Sequence, residues 1–453
     1  MQDGLLERLR TIVGVQNVLT GVELSPYVVE GRTPDAAVFP GSVEEVAAVI
    51  ALATEAGLPV MPWGGGTAAP VGMPSTRARL VLGLRRLDRL VEHEPGDLTV
   101  TVEAGMTVAE LQAALRGRGQ WLSLDPADAE RATIGGVLAT NASGPRRHLY
   151  GTARDLLIGI TVVTAEGAIV KGGGKVVKNV AGYDLPKLFV GSYGTLGVIV
   201  EATFKLRPRP DDERLMCVSF DRLKDAGAAV RALMASDLIP TAIELLDGTA
   251  ALGTGGTGGV LSLPTTLAGA SPSSGAALAV GFDGLGEQVE WQCAELARVT
   301  APLGGRDPRA LAPEAWPKLA LGARAAFPVA TAVMAFGVLP THVAELMEQG
   351  AGTARARGLG TAWAAHAGVG VVSAALSASP EPETTAIAAV LAEWRELARA
   401  WGGHATLEWA PLAVKSQVPV WDNPGAAGRI MQRIKAELDP KNMLNPGRFV
   451  AGI

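Results

Sequence analysis

Four short stretches before residue 200 pair glycine with a hydroxyl or amide side chain: Gly64-Gly65-Gly66-Thr67, Thr133-Ile134-Gly135-Gly136, Asn141-Ala142-Ser143-Gly144 and Gly191-Ser192-Tyr193-Gly194-Thr195-Leu196-Gly197. Glycine puts no side chain over its backbone, so another group can approach the N–H closely. Hydroxyl and amide side chains beside such N–H groups make a surface able to neutralise a pyrophosphate without lysines. A single stretch of this kind reads as a tight turn. Four of them, with Asp125-Pro126 just ahead of the second, read as one site assembled from several loops.

Two other glycine patterns fail their own context. Gly253-x-Gly255-x-x-Gly258 matches a dinucleotide fingerprint, but no clear strand precedes it and no helix follows. Lys171-Gly172-Gly173-Gly174-Lys175 lacks the Ser or Thr and the glycine spacing of a P-loop.

The periodicity around the four stretches mixes helix and strand. Ser42 and Glu45 form a capping box ahead of an apolar stripe through Val46, Val49, Ile50 and Ala53, which predicts a helix stopped by Gly57. Residues 58–61 then read as a strand entering Trp63-Gly64-Gly65-Gly66-Thr67. Alternation over 96–105 predicts another strand. Thr107 and Glu110 cap a helix over 108–115. Residues 157–170 read as two strands about Ala165-Glu166-Gly167, and 197–206 as one more. Arg207-Pro208-Arg209-Pro210 marks a domain boundary. Beyond it the texture changes, and the Gly/Ser/Thr-rich run 251–275 reads as a mobile loop. A helix near 426–437 precedes a fixed turn in Leu438-Asp439-Pro440-Lys441-Asn442-Met443-Leu444-Asn445-Pro446-Gly447.

Composition narrows the classes. Of 453 residues 48% are hydrophobic and 19% charged, enough apolar mass for large cores. A net charge of −5 with no basic block gives nucleic-acid binding no electrostatic support. Cys217 and Cys293 stand too far apart for a Cys-x-x-Cys metal or iron–sulfur site. Met1–Arg10 lacks a signal-peptide core, and no apolar run is long enough to span a bilayer, so a cytoplasmic protein is expected.

Residues 35–210 resemble the FAD-binding domain of the PCMH-type (vanillyl-alcohol-oxidase) superfamily. The resemblance is carried by Thr133 to Gly144, by Arg147-His148-Leu149-Tyr150-Gly151-Thr152-Ala153-Arg154-Asp155, and by the run from Lys178 to Leu206. It implies an α+β fold: two α+β subdomains around a flavin, then an α+β cap over the isoalloxazine ring. The closing segment Leu438 to Phe449 resembles that of the glycolate oxidase and D-2-hydroxyacid dehydrogenase branch, where it returns from the cap toward the flavin. The expected division is an N-terminal helical segment 1–34, a flavin domain 35–210, a cap 211–410 and a C-terminal segment 411–453. The implied FAD contacts are Trp63, Gly64, Gly65, Gly66, Thr67, Asp125, Pro126, Thr133, Ile134, Gly135, Gly136, Asn141, Gly144, Tyr150, Gly151, Gly194, Gly197, Val198, Ile199 and Asn445. Many members tether FAD through a His or Cys near the first glycine loop. Thr67 occupies that place, so FAD is expected to be held without a covalent bond.

The cap departs from the branch pattern. Relatives carry a motif like His-Ala-Gly-Asp-Gly-Asn-x-His and later Gly-Glu-His-Gly, which supply metal ligands and a catalytic histidine. Here the first reads His366-Ala367-Gly368-Val369-Gly370-Val371-Val372-Ser373, and the second includes His404, Glu408 and Trp409. Only His366 and Glu408 remain of the ligand set, too few for a typical catalytic zinc site, and an indole accepts no proton at neutral pH. No metal is expected, and His366, His404 and Glu408 are the catalytic candidates. His148 reads as a structural or flavin-edge group, and Lys318, Arg324 and Lys415 as candidate carboxylate partners.

This pattern is similar to the second flavin subunit (E-type) of glycolate oxidase, which works with a catalytic D-type flavin subunit and an iron–sulfur subunit. The resemblance implies those partners, a small 2-hydroxy acid as substrate, no iron–sulfur cluster in this chain, and membrane attachment only through partners. Two other roles stay open: a self-sufficient D-2-hydroxyacid (D-lactate or glycolate) dehydrogenase, and a flavin-bearing scaffold without turnover.

Overall fold

The computed structural model describes residues 3–75, 77, 79–175, 183–252, 275–327, 329–377 and 384–453. The loop expected over 251–275, with the Gly253-to-Gly258 pattern, lies between 253 and 274 outside the described residues.

Local signals set the elements around the glycine stretches. The Ser42 hydroxyl accepts the Glu45 N–H, and the helix Val43–Glu55 ends before Gly57 at φ +61°. Both halves of the Thr107–Glu110 capping box form, and the helix Val108–Arg116 follows. Val60–Trp63 and Leu80–Gly83 run parallel beside Ala36–Val38 and Val18–Leu19 in a four-stranded sheet. Helices Asp3–Val13 and Val43–Glu55 share its core through Leu9, Val46, Val49 and Ile50.

An antiparallel five-stranded sheet comes next, in the order Leu90–Glu94, Thr99–Glu103, Val198–Lys205, Leu157–Val163, Ile169–Gly173. Helix Ile134–Thr140 packs against its central strands. Thr133 caps that helix through Gly136 N–H, and Asn141 closes it in the left-handed region.

The cap is one antiparallel eight-stranded sheet built from two copies of a single motif. Asp212–Phe220, helix Leu223–Met234, Ala242–Asp247, Ala276–Gly284, helix Gly286–Thr300 and Arg306–Ala310 form a β-α-β-β-α-β unit. Ala332–Gly337, helix Val343–Arg355, Gly360–His366, Val371–Ser377, helix Thr384–Ala400 and His404–Trp409 form a second. Within each unit the sheet order is fourth, first, third, second strand, the ferredoxin-like arrangement. The two second strands, Ala242–Asp247 and Gly360–His366, pair with each other and fuse the units. Strand-like and helix-like segments alternate visibly in the sequence there, but the repeat itself does not show in it.

From the cap the chain returns to the two N-terminal sheets. Helix Ala427–Leu438 leads to Leu444, which bridges Val60 in parallel, with Val60 N–H donating to Met443 O and Asn445 N–H donating to Val60 O. The Lys435 ammonium is buried and donates to Asp439 Oδ2 at 2.6 Å, Thr195 O at 2.8 Å and Leu444 O at 2.9 Å. Removing one member of a buried pair strands the other's charge, which costs about 3–5 kcal/mol. Lys435→Met is therefore expected to lower unfolding free energy by about that amount, read from the urea midpoint at unchanged slope.

Candidate functional site

A groove runs between the two N-terminal sheets. Its walls include Trp63, Gly64, Gly65, Gly66, Thr67, Thr133, Gly135, Gly136, Gly194, Gly197, Ile199 and Asn445, together with Leu84, Thr140, Tyr193 and Arg448. All four sequence stretches thus meet along one groove or its extension, since Asn141 and Ser143 line the cavity that continues it.

The first glycine loop is tight for reasons internal to the protein. A Cβ on Gly64 would collide with Thr133 Oγ1, and one on Gly65 with the Arg131 carbonyl. Gly66 adopts φ +74° with Trp63 against it. The result is a run of backbone N–H groups, Gly65 to Ala68, that donate to no acceptor among the described residues. Unpaired successive N–H groups form an anion-binding surface. Asn445 donates from Nδ2 to Tyr193 O at 2.7 Å, and its buried Oδ1 has no partner. Free donors at one wall and an orphaned acceptor at another fit a phosphate-bearing dinucleotide.

The loop is held from behind. Arg448 donates to Ala69 O at 2.6 Å and Val71 O at 2.8 Å. Buried Lys415 pairs with Glu30 and donates to the carbonyls of Pro70 and Gly72, so it is a support for the loop and does not face a substrate. Burial pushes the Lys415 ammonium below its usual range while Glu30 draws it back up.

Other expected contacts lie elsewhere. Ile134 and Val198 are buried in their helix and strand. Gly144 packs on the Asp125 carbonyl and Gly151 on the Asp155 side chain. Tyr150 Oη donates to Asp283 of the cap at 2.6 Å. Asp125 accepts from Arg146 at 3.2 Å, and with Pro126 it lines a separate cleft. Tyr150 directly, and Asp125 through Arg146, join this part of the chain to the cap. Arg146 is the centre of that joint: it bonds Glu213 at 2.5 Å and lies 3.8 Å from the Trp316 ring centre.

The groove opens at Thr67, Gly136, Thr140 and Tyr193 into a cavity of about 1220 Å³ beneath the cap. Tyr193 sits at the junction with φ +53°, rare for an aromatic residue, and its ring stacks on Phe449 at 5.2 Å. The cavity wall carries Arg147, Arg324, His366, Ser373, His404, Glu408 and Trp409. His366 Nδ1 lies 2.8 and 2.9 Å from the two oxygens of Glu244, a carboxylate buried in the sheet. Burial pushes Glu244 up, and His366 and Arg147 oppose it. The Glu408 side chain is exposed, opens onto the cavity and makes no hydrogen bond or ion pair among the described residues. Arg324 donates to Asp128 at 2.5 Å. Trp409 Nε1 donates to Ala330 O at 3.0 Å, fixing the indole at the wall.

Three candidates are placed differently. His148 sits beneath the Ala367–Val369 turn, where a Cβ on Gly368 would strike it; burial lowers its pKa and its Nδ1 has no partner. His404 packs over Gly337 at the cavity rim, and Lys318 does not line the cavity. No group of three or more His, Cys, Asp or Glu able to hold a metal occurs among the described residues. The donors near His366 and Glu408 therefore do not fit the metal centre that the branch pattern implies. Arg147 and Tyr193 stand in the sequence motifs without an assigned role, and Glu244 escaped the sequence reading altogether. Only the placement of Glu244 and His366 on facing strands brings that carboxylate in.

The family comparisons agree with this geometry. Residues 34–173 match the FAD binding domain model, and 209–449 match that of the FAD linked oxidases, C-terminal domain. The chain is 30% identical over 434 residues to glycolate oxidase subunit GlcD of Bacillus subtilis, covering 92% of this chain and 89% of that one. It is 40% identical over 202 residues to D-2-hydroxyglutarate dehydrogenase of Xanthomonas citri, covering 44% and 43% of the two chains. The solved structure of p-cresol methylhydroxylase with substrate bound superposes with TM-score 0.76 at 19% identity, covering 98% of this chain and 96% of that one. The chain belongs to the FAD-linked oxidase family with the PCMH-type fold, and FAD is its cofactor.

Gly65→Ala is expected to weaken FAD binding to the apoprotein roughly tenfold or more, because overpacking of about 1–3 kcal/mol falls on the loop backbone. Gly96→Ala, with no heavy atom near its added Cβ, is expected to leave it unchanged; titration by flavin fluorescence quenching checks both.

Proposed function

We propose that this chain is an FAD-carrying subunit of a glycolate oxidase-like 2-hydroxyacid:acceptor oxidoreductase, of the E-type, working with a D-type flavin subunit and an iron–sulfur subunit. The observation that carries the reading is the dinucleotide groove opening into a cavity whose walls hold Arg147 and Arg324. Two guanidinium groups suit a small carboxylate substrate. Similarity to a glycolate oxidase subunit supports the same substrate class. Electrons leaving the flavin need an outlet, and Cys217 and Cys293 lie on separate elements of the cap and form no cluster site, which favours a partner as the acceptor.

FAD is held without a covalent bond in this reading. Thr67 lines the groove, and among the described residues no Cys or His does. Acid precipitation of the purified protein is expected to leave yellow FAD in the supernatant; flavin retained in the pellet refutes non-covalent binding.

A second reading, a self-sufficient D-2-hydroxyacid dehydrogenase, is favoured by the His366–Glu244 pair. Co-expression with D-type and iron–sulfur subunits separates the two. Co-elution, with electrons from glycolate reaching the iron–sulfur subunit only in the assembly, supports the subunit. Full turnover by the chain alone supports the second reading.

A further inference from the structure

The residues that remain where the branch pattern has a metal centre form a different constellation. Glu244 and His366 lie on the second strands of the two cap repeats and are direct cross-strand partners where the repeats fuse. Both Glu244 oxygens lie within hydrogen-bond distance of Nδ1, the geometry of a carboxylate accepting an Nδ1–H. That tautomer leaves Nε2 with its lone pair free. His366 lines the cavity, and Nε2 has no partner among the described residues and is absent from the buried atoms, so it is open to the cavity.

Arg147 stands beside this pair. It interacts electrostatically with Asp125, Glu244 and Glu408, and helix Arg147–Tyr150 packs on the Glu244 strand. Its one hydrogen bond runs from Nη2 to Ser143 O at 3.2 Å, and its Nε is buried without a partner. The neighbouring Arg146 spends its donors on Asp125 and Glu213. Arg147 thus keeps unpaired nitrogens, whereas Nε, Nη1 and Nη2 of its neighbour are all engaged.

We propose that Arg147, His366 and Glu244 form a metal-free 2-hydroxy-acid oxidation centre, Arg147 holding the substrate carboxylate, His366 Nε2 accepting the hydroxyl proton, and Glu244 positioning the imidazole. The proposal rests on the FAD-oxidoreductase reading above and deepens it. The O–H bond breaks with its proton passing to Nε2, the C2–H bond breaks with its electron pair, and the carbon–oxygen bond becomes a carbonyl. FAD held in the groove would supply the two-electron acceptor for that hydride. Trp409, with its N–H tied to Ala330, neither accepts the proton nor coordinates a metal.

The test uses the FAD-loaded chain with two readouts: anaerobic bleaching of the flavin by glycolate or D-lactate, and binding of oxalate by calorimetry. His366→Asn is expected to slow bleaching by about 100-fold or more while oxalate affinity stays within about threefold. Imidazole added to His366→Ala is expected to restore part of the rate, an effect that loss of packing alone does not give. Arg147→Lys is expected to weaken oxalate at least about tenfold, because the bidentate fork is lost. Glu244→Gln is expected to slow bleaching about 10- to 100-fold at nearly unchanged oxalate affinity, as outer partners of a functional histidine do. Chelators are expected to change nothing. Wild-type bleaching in both His366 variants, unaltered oxalate binding in Arg147→Lys, or loss of activity on chelation each overturns the centre. Flavin content and co-elution with partner subunits are scored on the same preparations. A chain that holds FAD and assembles but fails these tests loses this centre only, whereas a chain without FAD loses the functional reading as well.

Discussion

The buried ammonium of Lys435 is the point on which the flavin groove depends. Its three acceptors come from three places in the chain: Thr195 in the last glycine stretch, Asp439 one helical turn away, and Leu444 in the returning segment. Asp439 in turn accepts the N–H groups of Met443 and Leu444, so the pair also fixes the turn before Asn445. A buried ion pair gives little net stability compared with an apolar replacement of both partners, but it tolerates few alternative geometries. Here that intolerance is structural: Leu444 is set beside Val60, Asn445 beside Tyr193, and Arg448 behind the first glycine loop. A groove wall made of loops far apart in sequence is thereby held in one shape.

The cap is fixed by a comparable device at the other side. Arg146 lies between a flavin-domain carboxylate, Asp125, and a cap carboxylate, Glu213, with Trp316 of the cap over its face. Tyr150 to Asp283 and Asp128 to Arg324 add two further links across the same seam. Two adjacent arginines therefore have different roles. The first spends its donors closing the seam; the second keeps nitrogens unpaired. A sequence shows both only as Arg-Arg.

Much of the fold was legible because it rests on local rules. The capping boxes at Ser42 and Thr107, the glycine stops and the strand alternations are short-range signals, and the elements appear within a few residues of where those signals put them. The glycine stretches were legible as one site because backbone exposure leaves a mark in composition. The reason for each glycine was not: Gly64 and Gly65 are required by Thr133 and Arg131, contacts distant in sequence that only the folded chain creates. The same limit hid Glu244. On its own it is one acid in an apolar strand, and only the register that pairs it with His366 gives it a role. Asp125 and Tyr150, grouped with the flavin contacts by position in a motif, also bond Arg146 and Asp283 at the cap seam, which the motif does not announce.

The repeat architecture gives a reason why a histidine persists in the cap where its expected co-ligands do not. Ser373 and Trp409 sit on the third and fourth strands of the second repeat, facing the cavity, and side chains there can change without disturbing the fusion of the two units. His366 and Glu244 lie on the fusing strands themselves, and Glu244 is fully enclosed. An enclosed carboxylate needs a donor, and leaving one without it costs more than the hydrogen bond returns. So the pair is held by the fold as well as by any chemistry it performs. That double constraint is why the decisive comparison is between His366 variants that keep oxalate binding and lose only the proton acceptor. Stability alone would conserve the contact, but it would not require a free Nε2 to open onto the cavity beside an arginine with unpaired donors.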